Sequence, residues 1–278
     1  MLKKAYLEIT NVCNLSCSFC HGTKRQKKFL SVEEFRLLAG KLKGKVEFLY
    51  FHLMGEPLLH PELDQLLSTS KDLGFKVILT TNGTLLPKLR ELLLQAENLY
   101  KVSISLHCYE VNAMGSSLED YLAGCFRFCQ EASQRGILSV MRLWNQGGED
   151  RLNQEILSAM HTAFPGEWKD TYSGSRLSNR VFLEWGERFD WPDPEAPLQE
   201  GSYGCYGLRD QLGILCNGTV VPCCLDAEGN IPLGNLFTQD LEEILRSPRA
   251  EALKRSLQNR HPQEALCRHC GYASQKKY

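Results

Sequence analysis

No stretch of this chain stays apolar for the ~18 residues that a membrane-spanning helix requires. No export signal opens it either: Met1-Leu2-Lys3-Lys4 leads into a short apolar run that already contains Glu8. The expected location is therefore the cytoplasm, away from the membrane. A charge imbalance is missing too. With 32 basic and 33 acidic residues the formal net charge is -1, which argues against nucleic acid or an anionic bilayer as partner. Internal repeats and low-complexity tracts are also absent, so a solenoid or a disordered array is excluded. What remains is an ordinary globular composition, with 278 residues to form one or two domains.

Cysteine is the one residue in excess, at twelve. Without an export signal these argue for metal chemistry in a reducing compartment rather than for a disulfide framework. Cys13, Cys17 and Cys20 follow an apolar run directly, and the next cysteine is Cys108. Three soft thiolates on one short loop can hold three irons of a 4Fe-4S cluster, leaving the fourth iron open to a substrate. A zinc site with one distant ligand, or three packed thiols, are the alternatives.

Short β-branched or aromatic runs at residues 5–10, 46–53, 76–81, 102–106, 139–143 and 181–185 read as strands. Helical patterns at 31–42, 61–73, 87–96, 118–134 and 152–163 separate them, the first opened by the capping pair Ser31 and Glu34. Such alternation predicts an α/β chain of right-handed parallel βαβ units, either a partial barrel or an open doubly wound sheet. The apolar runs are nearly continuous, which predicts strands covered on both faces. In both architectures chemistry collects at the carboxyl ends of the strands. The proline-rich stretch after Asp190 reads as a linker, giving a core at 1–190, a linker at 191–204 and a small unit at 205–278 that holds six of the cysteines.

Three further local signals fall at expected strand ends: Gly55-Glu56-Pro57, Thr81-Asn82-Gly83 and Ser103-Ile104-Ser105. Each alone reads as a turn or a small-residue wall. Together with the cysteine loop they resemble the radical S-adenosylmethionine enzymes, whose CxxxCxΦC loop (Φ aromatic) is matched by Cys13, Cys17, Phe19 and Cys20. The resemblance implies a partial (β/α)6 TIM-like barrel, with a cluster whose open iron chelates S-adenosylmethionine. Reductive cleavage would then yield a 5′-deoxyadenosyl radical that takes hydrogen from an unactivated carbon. It further implies that Gly55 and Glu56 contact the methionyl amine, Met54 replacing the family's first glycine. By the same resemblance Ser103 and Ser105 lie on the ribose strand, and Thr81 and Asn82 line the same pocket. Hydroxyls suit a ribose and a carboxylate suits an ammonium. Injecting an electron requires redox-active iron, which zinc cannot replace.

Cys205, Gly218, Cys223, Cys267 and Cys270 resemble the SPASM/twitch extension of that superfamily. The implied unit is a small, cysteine-rich α+β domain with a second, fully ligated 4Fe-4S cluster. No cysteine follows Cys270, which favours the one-cluster twitch form. A zinc ribbon is the alternative, Cys224 competes with Cys223 as ligand, and Cys216 reads as packing. Asp226 is the first candidate for a base that takes a substrate proton, or else a cap on its own turn. Cys108 could return a hydrogen atom or merely pack, and Cys125 and Cys129 read as core. Arg142 and His107 could reach a carboxylate of cofactor or substrate. The basic run Lys24–Lys28 reads as a solvated loop.

Relatives imply two-electron oxidation of a small molecule, or peptide modification. Such chemistry needs a low-potential donor such as flavodoxin or ferredoxin. The first strand begins near residue five, leaving no room before it for a leader-binding domain, so a peptide substrate would need a separate recognition protein. An iron-sulfur electron carrier and a zinc-dependent nucleic-acid module are the readings outside this class.

Overall fold

The computed structural model describes residues 2–198 and 205–274. Its strands are β1 (Lys4–Leu7), β2 (Phe48–Tyr50), β3 (Lys76–Thr81), β4 (Leu99–Ser105) and β5 (Leu138–Gln146), followed by β6 (Lys169–Thr171), β7 (Gly174–Ser178), β8 (Val181–Glu187), β9 (Gln211–Ile214), β10 (Thr219–Val221) and β11 (Gly234–Asn235). Helices α1 (Val32–Leu42), α2 (Leu63–Asp72), α3 (Leu86–Gln95), α4 (Leu118–Gln134) and α5 (Asn153–Ala163) form the crossovers. The small helices α6 (Leu241–Leu245), α7 (Pro248–Gln258), α8 (Ala265–Arg268) and α9 (Gly271–Ser274) complete the carboxyl-terminal part.

The expected capping pair opens α1: Ser31 Oγ accepts the Glu34 amide at 3.1 Å, and Glu34 accepts the Ser31 amide at 3.0 Å. Strands β1, β2, β3, β4, β5 and β8 lie side by side and parallel. A hairpin of β6 and β7 pairs antiparallel onto β8. The sequence reading missed it because these edge strands are mostly exposed and polar, with no apolar period to betray them. At the other edge β9 pairs parallel with β1, and β10 and β11 continue antiparallel. The cysteine-rich part therefore extends the sheet of the core.

One face of the sheet is apolar and sealed by helices. On β4 this is Val102 and Ile104; on β5, Met141 and Leu143; on β8, Val181 and Leu183. The opposite face carries Lys101, Arg142, Trp144 and Glu184, all half-buried. Coverage on both faces, expected from the apolar runs, is thus corrected. The helices take one side and the other lines a polar lumen, which distinguishes a partial barrel from a doubly wound sheet. Among the described residues no helix is long and apolar enough to cross a membrane.

Candidate functional site

The loop after β1 carries Cys13 and Cys20 exposed and Cys17 half-buried. Burial pushes the Cys17 thiol up to about 11 and raises the other two as well. Donors nevertheless point at the sulfurs. The Gly22 amide donates to Cys20 Sγ at 3.4 Å, and Asn112 Nδ2 donates to Cys17 Sγ at 3.2 Å. Three thiols that resist ionisation, yet are met by donors suited to thiolates, fit a bound cation that would deprotonate them. Asn112 escaped the sequence reading, because a lone asparagine in a loop carries no pattern.

Glu56 anchors the neighbouring loops. Its amide donates to Val12 O at 2.8 Å, and its carboxylate accepts the Leu58 and Asn82 amides at 3.0 and 2.7 Å. Gly55 makes this crossing possible: at φ +79° it passes so close to the β1 loop that a Cβ would stand 2.6 Å from Thr10 O. Burial lifts the Glu56 carboxyl to about 7. An incoming ammonium would pull it back down, so the site fits the amine of S-adenosylmethionine. Thr81 Oγ1 accepts the Gly83 amide at 3.0 Å, and Asn82 Nδ2 donates to Asn14 Oδ1 at 2.9 Å. The β3 turn is thereby tied to the cysteine loop. Ser103 is fully buried with no partner for Oγ, and Ser105 is half-buried at the end of β4.

The loop is also clasped from behind. Glu8 is completely buried; Arg25 Nη2 and Nη1 donate to its two oxygens at 2.7 and 2.8 Å. The Met54 and Cys216 amides donate to the same carboxylate at 3.2 and 3.0 Å. Arg25 Nε reaches Ala227 O at 2.8 Å, and Trp191 Nε1 reaches Phe19 O at 3.0 Å. The basic run is thus not simply a solvated loop, because Arg25 bolts the cysteine loop to the carboxyl-terminal part. A carboxylate inside an otherwise apolar strand run was the available signal.

Cys205, Cys223, Cys267 and Cys270 lie within one another's electrostatic reach. Burial followed by neighbouring thiols raises Cys223 and Cys267, and burial pushes Cys270 up to about 11. All twelve cysteines are free. Cys223 feels the three other candidate ligands; Cys224 feels Cys205 and Cys270 as well, but also hydrogen-bonds Tyr6 and faces Lys4. Among the described residues no three Cys, His, Asp or Glu side chains converge as ligands of one ion. A four-iron cube takes its thiolates at separate corners and needs no such convergence. Gly218 adopts φ +82° where a Cβ would stand 2.4 Å from the Phe237 ring, which explains this glycine of the motif.

The surroundings of four further candidates are specific. Asp226 is fully buried and accepts the Asn230 and Ile231 amides at 2.7 and 2.9 Å. It is a turn cap, and no base is assigned to it. The Cys108 thiol packs beneath the β3 turn, against Asn82 O at 3.3 Å, as the packing alternative has it, and burial raises it. His107 packs against Phe19 with tilted rings, 4.7 Å between centroids, and burial lowers it to about 4, so it is neutral and offers no charge to a carboxylate. Arg142 is already paired with Glu184, at 3.0 Å from Nε, and lies over the Trp144 ring.

Two family models match this chain. The radical SAM superfamily model covers residues 7–141, and the SPASM model, an iron-sulfur cluster-binding domain, covers 205–271. Over these two segments the chain carries a radical SAM domain and a SPASM domain. Its two domains imply a 4Fe-4S cluster with S-adenosylmethionine and auxiliary iron-sulfur binding. Among curated proteins it is similar to one named "Probable GTP 3',8-cyclase" from Sulfurisphaera tokodaii, 40% identical over 105 residues, 36% of this chain and 32% of that protein. A protein of the same name from Pyrobaculum aerophilum is 33% identical over 110 residues, 38% of this chain and 35% of that one. The chain thus spans about a third of the length of these relatives.

Among solved structures, Streptococcus suis SuiB bound to S-adenosylmethionine has a TM-score of 0.65 at 17% identity, covering 98% of this chain and 72% of that one. BtrN in complex with AdoMet and 2-DOIA has a TM-score of 0.55 at 15% identity, covering 97% and 93%. At such identity the likeness is one of fold. Met54, which stands before Gly55 and Glu56, is a buried side chain in a small apolar cluster with Tyr6, Leu53, Leu215, Val221 and Ala227.

Proposed function

We propose that this protein is a radical SAM oxidoreductase that removes hydrogen from an unactivated carbon and passes a second electron to an auxiliary cluster. The observation that carries this reading is the placement of two separate thiol groups, one at the mouth of the lumen and one beside its β1 wall. Cys13, Cys17 and Cys20 would hold the first cluster, and Cys205, Cys223, Cys267 and Cys270 the second. When bound, these groups and S-adenosylmethionine supply one-electron cleavage to methionine and 5′-deoxyadenosine, plus a sink for the electron left on the substrate as its proton departs. Glu56 receives the methionyl ammonium, while Ser103 and Ser105 face the ribose. The Asn14–Asn82 bond holds the β3 turn against the cysteine loop. The substrate is a small molecule or a peptide, and a low-potential one-electron donor is required.

Anaerobic reconstitution should give about eight irons and eight sulfides per chain, from two four-iron clusters. Dithionite with S-adenosylmethionine should then release 5′-deoxyadenosine. Zinc in place of iron, or iron without nucleoside release, would overturn the reading.

Asn112 supplies a second check. A hydrogen bond to a cluster sulfur favours the more negative, reduced state. Asn112→Ala should therefore lower the potential of the first cluster by roughly 50 mV, the scale of about 1 kcal/mol for one electron. An EPR-monitored redox titration reads this, and an unchanged midpoint would remove Asn112 from any tuning role.

A further inference from the structure

The segment that follows β8 touches both thiol loops. On one side the Trp191 indole Nε1 donates to Phe19 O at 3.0 Å, and its ring stacks on His21 at 5.9 Å between centroids. Phe19 and His21 flank Cys20 in the chain. On the other side Phe189 meets the Tyr272 ring edge-on at 5.2 Å, and Phe189 and Trp191 pack together at 5.7 Å. Gly271 lies so close that a Cβ there would stand 2.8 Å from Asp190 O. His269 Nδ1 donates to Ala196 O. His269, Gly271 and Tyr272 surround Cys270 in the chain, as Phe19 and His21 surround Cys20.

The second thiol set is anchored unevenly. The Arg25 clasp also grips the first cysteine loop, but it ends on the stretch from Cys216 to Ala227. That stretch is built into the sheet through β10 and closed by the Asp226 cap, so backbone bonding holds it in place. The stretch from Cys267 to Cys270 has only α8 and α9, of four residues each. Helices that short are not stable alone. Apart from the buried Leu266 and Ala273, ligation of the two thiols is what would fix them.

We propose that residues 189–196 form a strap that carries the state of the second thiol set to the first, with Trp191 as its positioning residue. With Cys267 and Cys270 ligated, α9 seats Phe189, and the neighbouring indole holds the Phe19 carbonyl. The Cys20 end of the loop is thereby set for S-adenosylmethionine. Without that ligation the indole is released and the loop loosens. The strap sets affinity for the cofactor rather than the capacity to cleave it. This goes beyond the proposed function and rests on its assignment of the two thiol sets.

Anaerobic calorimetry of S-adenosylmethionine binding to the reconstituted full chain tests the strap. Trp191→Phe keeps an aromatic ring but loses the N–H, and should raise the Kd about fivefold, the worth of one hydrogen bond. Cys270→Ala should raise it by a similar factor. The double variant should bind no more weakly than either single variant, because both changes act through one contact. Phe189→Leu, which frees the strap from α9, should match Trp191→Phe. Trp168→Phe, which removes an indole bond to Phe164 O far along the chain, should leave the Kd unchanged. Trp191→Phe should melt within about 2 °C of the native protein; a purely structural role would lower the melting temperature and leave the Kd alone. Single variants with native Kd, or factors that multiply to about 25-fold in the double variant, would overturn the strap. Iron analysis keeps the failures apart. A Cys270→Ala protein that retains about eight irons would overturn the assignment of the second thiol set and the strap with it, whereas about four irons with multiplying factors would overturn the strap alone.

Discussion

Cys13→Ala should abolish release of 5′-deoxyadenosine while leaving about half of the iron in place. Cys267→Ala should also lose about half of the iron, yet continue to cleave S-adenosylmethionine without substrate. The contrast follows from the two thiol groups being separate. Cys13 shares its loop with Cys17 and Cys20, and the hydrogen bonds from Gly22 and Asn112 belong to that loop alone. Cys267 lies among buried thiols from the carboxyl-terminal part. Iron and sulfide analysis together with nucleoside release from the two variants decides the matter. Equal loss of cleavage in both would refute the division of labour.

Arg25→Met should destabilise the fold by about 3–5 kcal/mol, since it leaves the Glu8 carboxylate buried without its cation. For a chain of this size that corresponds to a fall of roughly 10 °C in melting temperature. Two amides, from Met54 and Cys216, would remain on Glu8 and cannot neutralise it. The double variant Glu8→Gln with Arg25→Met should recover part of the loss, because neither partner is then an isolated charge. Chemical denaturation of the anaerobic proteins measures both values. A single-variant loss below about 1 kcal/mol would reduce the pair to the standing of a surface ion pair.

Local pattern made the crossovers legible: α4 begins and ends at the expected residues, and the capping pair of α1 forms as read. Strand β3 is also found where expected. Strand β4 starts three residues earlier than residue 102, because Tyr100 and Lys101 interrupt the apolar run that marks a strand. The lumen face was hidden for the same reason, since its charged residues satisfy no periodic template. Charge at Arg25 suggested solvent, but its meaning depended on Glu8, seventeen residues away and buried. Asp226 and Cys108 each carried two readings in the sequence, and in the fold Asp226 caps its own turn while Cys108 packs beneath the β3 turn. Only the folded chain reveals which side chains are already occupied.

The pairing of β9 with β1 has a consequence for the flow of electrons. The two iron centres expected here are mounted on neighbouring ribs of one hydrogen-bonded sheet rather than on bodies joined by a hinge. In the proposed oxidation, the gap that an electron would tunnel between the substrate and its acceptor would then be held by the frame itself, the same from one turnover to the next.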